Sequence, residues 1–161
     1  MKEAQSEFEI LVSMIDNFLQ AELEGRTKFN LIAKQNPYIT DLEFTNDRYD
    51  SLDCYFRYCG KLFGVEIKNR NSYYNVWNIE VWKFEAMNNL IKQNKIQGGY
   101  FAVFYKSDCY LYDFQTIKDC YEKFGVSDMY ARKTTVINST YTNKKIISLP
   151  VELAKIKNIN N

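Results

Sequence analysis

Three charged side chains are predicted to meet on one face of a β-hairpin. Residues 51–68 alternate in polarity around Cys59-Gly60, and the glycine provides the backbone freedom of a tight turn. In this register Asp53 lies opposite Glu66, with Lys68 two residues along the same face. Two opposed carboxylates are electrostatically costly unless a cation lies between them. The spacing therefore predicts an oxygen-ligand site for Mg²⁺, with Mn²⁺ as its substitute.

Such a site matches hydrolysis of a phosphodiester by a metal-bound water. The metal lowers the pKa of its water and stabilises charge on the phosphoryl group, while the lysine holds a phosphate oxygen or orients the water. The 161 residues contain no histidine. This excludes Ser-His-Asp and Cys-His hydrolases, histidine-dependent metallonucleases and HExxH zinc sites. We therefore expect strict dependence on a divalent metal and no histidine-like titration.

The opposite face of the hairpin is predicted to be wholly apolar. The expected cross-strand pairs there are Phe56 with Phe63, Cys54 with Val65, and Leu52 with Ile67. Asp50 is a rival for the acidic position, but in this register it would face the apolar side. The pattern therefore favours Asp53.

The remaining elements predict one α/β domain. Apolar residues spaced by three and four predict a first helix that ends near Gly25: Phe8, Val12, Ile15, Leu19 and Leu23. A strand is predicted over 38–45 and a second helix over 76–93, with Ile79, Trp82, Ala86 and Leu90 as its buried stripe. A covered central strand over 100–105 follows, with a hairpin partner over 109–113. The last predicted elements are a helix over 115–124 closed by Gly125, two strands over 131–149 with a turn at Asn143, and a terminal helix starting at Pro150.

These features resemble the PD-(D/E)XK nuclease superfamily, the restriction-endonuclease-like and Holliday-junction-resolvase-like nucleases. Asp53, the tripeptide Glu66-Ile67-Lys68, the flanking VEIKNRN and the predicted order αβββαβ carry the resemblance, which covers roughly residues 1–113. Small phage and bacterial nucleases come closest. The resemblance implies that Asp53, Glu66 and the main-chain carbonyl of Ile67 bind Mg²⁺ and that Lys68 acts on the nucleophilic water. Leu52 stands where the superfamily name has proline.

The implied fold is a restriction-endonuclease-like αβββαβ core with a central mixed sheet flanked by helices and with C-terminal β/α additions. Residues 1–161 would form one domain, with a core over 1–113 and an elaboration over 114–161. The implied activity is that of a Mg²⁺-dependent nuclease acting on DNA. A homodimer is compatible with it, because dimer geometry often sets nuclease specificity.

Secondary candidates each have a structural alternative. Glu80 and Lys83 would complete the site, or would form a surface ion pair on a helix. Glu9 would be an extra metal ligand, or part of a solvated face. Arg70, Lys144 and Lys145 would contact phosphates, or would keep the domain soluble. Tyr73, with Tyr74 and Trp77, would stack on bases, or would pack beside a helix.

The charge distribution and the cysteine content bear on the class of partner and on the cellular compartment. The net charge is −5 over 1–47, +2 over 48–127 and +4 over 128–161. The basic C-terminal segment 128–161 fits either a polyanionic partner or a solvated surface. Four cysteines without a CxxC pair, an acidic N-terminus and no membrane-length apolar run predict a reduced, cytoplasmic protein.

Two alternatives to a nuclease stay open. One is a nucleic-acid-binding or scaffolding member of the same fold that has lost catalysis. The other is a structural or partner-binding α/β domain in which Asp53 and Lys68 form an ordinary cross-strand ion pair.

Overall fold

The computed structural model describes residues 2–46, 51–132 and 141–161, without the side chains of 2–8, 10–18, 131–132 and 141. Three α-helices and nine β-strands are found in these ranges. In chain order they are α1 (Lys2–Lys34), β1 (Ile39–Phe44), β2 (Cys54–Tyr58), β3 (Lys61–Arg70), β4 (Val76–Glu80), α2 (Val81–Lys92), β5 (Gly98–Tyr105), β6 (Asp108–Asp113), α3 (Phe114–Phe124), β7 (Ser127–Arg132), β8 (Tyr141–Pro150) and β9 (Lys155–Asn158). A short 3₁₀ helix, Val151–Leu153, separates β8 from β9.

The central sheet is mixed and has six strands in the order β1-β2-β3-β5-β6-β9. Strands β3 and β5 are parallel, and the other neighbours in this sheet are antiparallel. The predicted α/β class with a central mixed sheet and helices is therefore confirmed. The order αβββαβ recurs in α1, β1 to β3, α2 and β5, with β4 inserted between β3 and α2.

Different layers cover the two faces of the central sheet. On one face α1 places Phe29 and Ile32 against Val65, Ile67 and Ala102. On the other face, a second sheet with the order β4-β8-β7 joins α2 and α3 in a shared core. This core includes Trp77 and Ile79 of β4, Ile147 and Leu149 of β8, and Phe101 and Val103 of β5.

The predicted hairpin register is confirmed over the whole of β2. The pairs run from Tyr58 with Lys61 to Cys54 with Val65. Cys59 and Gly60 have φ angles of 49° and 80°, as a two-residue type I′ turn requires.

The prediction that Leu52 pairs with Ile67 is wrong. The chain bends at residues 51–53, so the ladder ends at the pair of Cys54 with Val65. Leu52 packs with Met87 and Ile96 on the α2 side. Ile67 packs on the α1 side.

The first helix does not end at Gly25 but continues to Lys34. Gly25 is buried where α1 crosses β3, and a Cβ atom there would lie 3.1 Å from Ile67 Cγ2. The glycine thus permits close approach of two backbones rather than ending the helix. Two of the apolar residues that predicted this helix are not buried, because Leu19 and Leu23 are 44% and 58% exposed.

The second helix is shorter than predicted, because residues 76–80 form β4 and pair with β8. Burial alternates along β4, as is typical of a strand with one covered face. The buried residues of α2 are Lys83, Phe84 and Met87, whereas Trp82 of the predicted stripe is exposed. The alternation of buried and exposed residues over 76–80 is too short to be distinguished from a helical pattern by sequence alone.

The elements from residue 98 onward agree with the sequence-based predictions in part. The strand over 100–105, its hairpin partner and the helix closed by Gly125 are confirmed. Asn143, however, lies inside β8 and pairs with Tyr130 of β7, so the predicted turn is wrong there. Pro150 ends β8 and precedes the 3₁₀ helix and β9 instead of a terminal α-helix.

Candidate functional site

Asp53 lies where the hairpin ladder ends. Its backbone N–H donates to the carbonyl of Val65 at 2.9 Å, and its own carbonyl accepts from the N–H of Thr45 at 2.9 Å. The side chain continues the ladder, because Asp53 Oδ2 accepts a hydrogen bond from the N–H of Ile67 at 2.7 Å. The carboxylate thus replaces the main-chain acceptor that is lost when the chain bends away from β3. This places it beside the middle residue of the Glu66-Ile67-Lys68 tripeptide.

The direct opposition of Asp53 and Glu66 in a regular ladder is therefore not observed. Burial is the main cause of the raised pKa of Glu66, and the negative charge of Asp53 raises it further. Asp53 also borders a cleft beneath α1 that is lined by Ala21, Glu22, Gly25, Arg26, Ile67 and Asn69.

Glu66 is a charged residue in the interior of β3, with only 1% of its surface exposed. Its Oε1 lies 3.1 Å from Lys68 Nζ and its Oε2 lies 2.9 Å from Lys83 Nζ. Burial raises the pKa of Glu66, although the positive charges of Lys68 and Lys83 act in the opposite direction. The two lysines offset the cost of a buried carboxylate.

Lys68 extends from Glu66 toward solvent, and its side chain is 34% exposed. Burial alone would lower the pKa of this lysine, but the negative charges of Glu66 and Asp53 outweigh it and raise the pKa. The ammonium group therefore stays charged at neutral pH. It can donate both to Glu66 and to an anionic oxygen that approaches from solvent.

Lys83 is a residue of α2 that reaches Glu66 on β3. The helix begins at Val81, so the side chains of Lys83, Phe84 and Met87 turn into the protein. Lys83 does not pair with Glu80, as a helical spacing of three had suggested. Glu80 instead ends β4, and its Oε1 lies 2.9 Å from Lys144 Nζ. Burial would raise the pKa of Glu80, but Lys144 and Lys68 lower it overall.

Other predicted site residues are placed apart from this cluster. Glu9 is exposed on α1, sixteen residues before Gly25, which corresponds to about 24 Å along a helix. Asp50 lies outside the described residues. Lys145 forms an exposed ion pair with Asp128 at 2.7 Å on the second sheet.

Arg70 is an exposed residue at the end of β3. It lies on the same face of the strand as Lys68, because the two residues are two positions apart.

Tyr73 packs its ring against Trp77, Tyr105 and Tyr110. Trp77 is only 2% exposed, which rules out stacking of this indole on a base.

Several residues near Asp53 were not anticipated from the sequence. Asn69 accepts a hydrogen bond from Lys28 Nζ at 3.0 Å and donates one to Glu24 Oε2 at 3.1 Å. Glu22 and Arg26 form an ion pair at 3.0 Å beside the same cleft. These α1 residues were missed because the helix was predicted to end near Gly25. A helix that continues past Gly25 places them close to one another on α1.

The donor set suits a hard cation with few protein ligands. Among the residues described, no group of three or more Asp, Glu or Cys side chains is close enough to hold a metal. Mg²⁺ commonly uses one or two carboxylates and takes its other ligands from water and substrate phosphate. Asp53 and Glu66 fit this pattern, whereas a closed structural zinc site needs more ligands.

No protein-family model matches this chain, and no curated protein sequence matches it. Within the ranges described above, no helix is both long and apolar enough to cross a membrane.

Proposed function

We propose that this protein is a Mg²⁺-dependent nuclease of the PD-(D/E)XK type that hydrolyses phosphodiester bonds in DNA, with a restriction-endonuclease-like fold. One observation carries the proposal. The Asp53 carboxylate is hydrogen-bonded to the N–H of Ile67, and Glu66 and Lys68 flank that residue on β3. The Asp53 carboxylate thus contacts the segment of β3 that carries Glu66 and Lys68.

Asp53 and Glu66 would hold the cation, together with the main-chain carbonyl of Ile67, and Mn²⁺ would substitute for Mg²⁺. A bound Mg²⁺ supplies Lewis-acid stabilisation of phosphoryl charge and a water of lowered pKa. Asp53 is fixed for this role by its hydrogen bond to β3. Glu66 is fixed by the lysines on both of its oxygens.

Lys68 has the exposure and charge to contact substrate. Its ammonium group would donate to a phosphate oxygen or orient the attacking water. Lys83 is nearly buried and contacts Glu66, so its proposed role is to position that carboxylate. Arg70 lies on the same face of β3 and would contact a flanking phosphate.

A second function is favoured by the ion pairs themselves. Glu66 already has a lysine against each oxygen, and such a cluster is complete without a metal. This favours a nucleic-acid-binding or partner-binding domain without catalysis. Salt-sensitive DNA retention without cleavage in any divalent metal would support it over the nuclease.

The test is a cleavage assay on linear duplex, single-stranded and branched DNA, with and without Mg²⁺ or Mn²⁺. Wild-type protein should cleave at least one form only when a divalent metal is present. Glu66→Ala should abolish this activity, and Glu85→Ala, an exposed glutamate on α2, should retain it. Cleavage that survives Glu66→Ala would contradict the assignment of the site.

A further inference from the structure

Trp82 is an aromatic residue on the surface of α2 that contributes little to the core. It is 52% exposed, whereas its neighbours Lys83 and Phe84 are buried. About half of the indole is therefore accessible to a ligand.

The indole is nevertheless held in one orientation. Its Nε1–H donates to Glu80 Oε2 at 3.3 Å, and Glu80 Oε1 lies 2.9 Å from Lys144 Nζ on the second sheet. Glu80 is the residue before α2, but its side chain does not cap the helix. The carboxylate holds the polar edge of the indole instead, with Lys144 holding the carboxylate.

The indole also adjoins the proposed catalytic cluster. Lys83 Nζ lies 4.5 Å from the Trp82 ring centroid and 2.9 Å from Glu66 Oε2. One ammonium group is therefore shared by the ring and the carboxylate. A ligand that reaches Glu66 from this side of α2 would meet the indole.

The surroundings of Trp82 suit a nucleotide. Lys83 and Lys144 are paired with Glu66 and Glu80, so the partly exposed Lys68 is the group that can reach a phosphate, while the indole provides an apolar surface for a base. Base–aromatic stacking needs a base with a free face. Within a continuous duplex, both faces of each base are covered by neighbouring bases. The indole therefore suits an unpaired base.

We propose that Trp82 is a stacking platform for an unpaired nucleobase next to the scissile phosphate, so that the preferred substrate is a single strand or a strand end rather than continuous duplex. The proposal rests on the proposed function for the position of the phosphate. Its binding part is independent of catalysis.

The experiment measures binding in EDTA, where no metal-dependent cleavage occurs. Fluorescence anisotropy of a labelled oligothymidylate and of a blunt duplex of equal length gives the two affinities at low salt. Wild type, Trp82→Ala, Trp82→Phe and the control Tyr38→Ala are compared; Tyr38 is an exposed aromatic residue that contacts Tyr58 near the β2–β3 turn. Trp82→Ala should weaken oligothymidylate binding about tenfold or more. It should change duplex binding much less, and Tyr38→Ala should resemble wild type.

Tryptophan emission gives a second readout. The oligothymidylate should quench the emission of wild-type protein, and Trp82→Phe should retain binding but lose the quenching, because the remaining Trp77 is buried. Equal affinity of Trp82→Ala and wild type, or an equal loss for both DNA forms, would overturn the stacking role. Quenching and selective binding without cleavage in any metal would overturn the nuclease and keep the platform. Metal-dependent cleavage that Trp82→Ala leaves unchanged on every DNA form would support the nuclease and overturn the stacking role of Trp82.

Discussion

Lys83 Nζ of α2 lies 2.9 Å from Glu66 Oε2 of β3, and this ion pair joins the second helix to the strand that carries the proposed metal ligand. Glu66 is almost completely buried, so its charge depends on the lysines beside it. The position of α2 on the central sheet and the state of the Glu66 carboxylate are therefore coupled.

Replacing Lys83 by methionine should destabilise the protein. The substitution leaves Glu66 with Lys68 alone, so its pKa should rise further and the cost should be roughly 1–3 kcal/mol. Urea denaturation measures the change. Lys92→Met, in the exposed last turn of the same helix, should shift the free energy of unfolding by less than about 0.5 kcal/mol. Equal stability of the two variants would show that Glu66 does not depend on Lys83.

Asp53→Asn should lower the cleavage rate without lowering the stability of the protein. Asp53→Asn keeps an oxygen that can accept the hydrogen bond from the N–H of Ile67, so the thermal midpoint should change little. The loss of charge should lower metal-dependent DNA cleavage by more than about 100-fold, which exceeds the usual effect of replacing a residue that only orients a metal ligand. Melting curves and initial cleavage rates measure the two effects on one preparation. A variant that is both stable and fully active would exclude Asp53 as a ligand.

Valine at position 25 should push α1 away from β3. Gly25 is in close contact with Ile67 and Asn69, and overpacking of this kind costs about 1–3 kcal/mol. Thr27→Val places the same side chain on the exposed side of the helix, and it should be nearly neutral. Thermal unfolding of both variants makes the comparison. A Gly25→Val protein as stable as Thr27→Val would mean that the helix crossing tolerates a side chain.

Only one of the four cysteines should react with a thiol reagent in the native protein. Cys59 is exposed in the hairpin turn, whereas Cys54, Cys109 and Cys120 are buried. Burial raises the pKa of Cys109 to about 12 and raises that of Cys54 as well, so these thiols stay protonated and unreactive. Labelling followed by mass spectrometry should find Cys59 alone at first and all four after denaturation. Rapid native labelling of Cys109 would contradict this.

Because burial raises these thiol pKa values, the free energy of unfolding should depend on pH in the alkaline range. An unfolded thiol loses its proton as the pH rises above its ordinary value of 9.0, whereas folded Cys109 keeps its proton up to about 12. Unfolding then releases protons, so the free energy of unfolding should fall as the pH rises through this interval. Denaturation at several alkaline pH values, compared with Cys109→Ala, measures the slope, which the variant should reduce.

Local patterns in the sequence predicted the hairpin well. The turn at Cys59-Gly60 and the alternation on either side of it set the register of β2 and β3, because each depends only on neighbouring residues. The prediction failed at residues 52–53, where the bend depends on contacts of Leu52 with Met87 and Ile96. Those contacts link residues that are distant in the chain.

The two helix errors have the same origin. Gly25 suggested a helix end, but its contact with Ile67 is a tertiary reason for a glycine inside a helix. Residues 76–80 pair with β8, about seventy residues away, and no local signal contains that partner. Lys83 points toward Glu66 because α2 begins at Val81, and a helix that began at residue 76 gave no reason for this orientation.

Anomalous diffraction from Mn²⁺-soaked crystals tests most directly whether Asp53 and Glu66 hold one divalent cation. Wild-type crystals should show a Mn²⁺ peak in contact with both carboxylates. Glu66→Gln crystals under the same soak should show none, with the fold unchanged. Wild-type crystals without Mn²⁺ at these carboxylates, at a metal concentration where the protein cleaves DNA, would contradict the account.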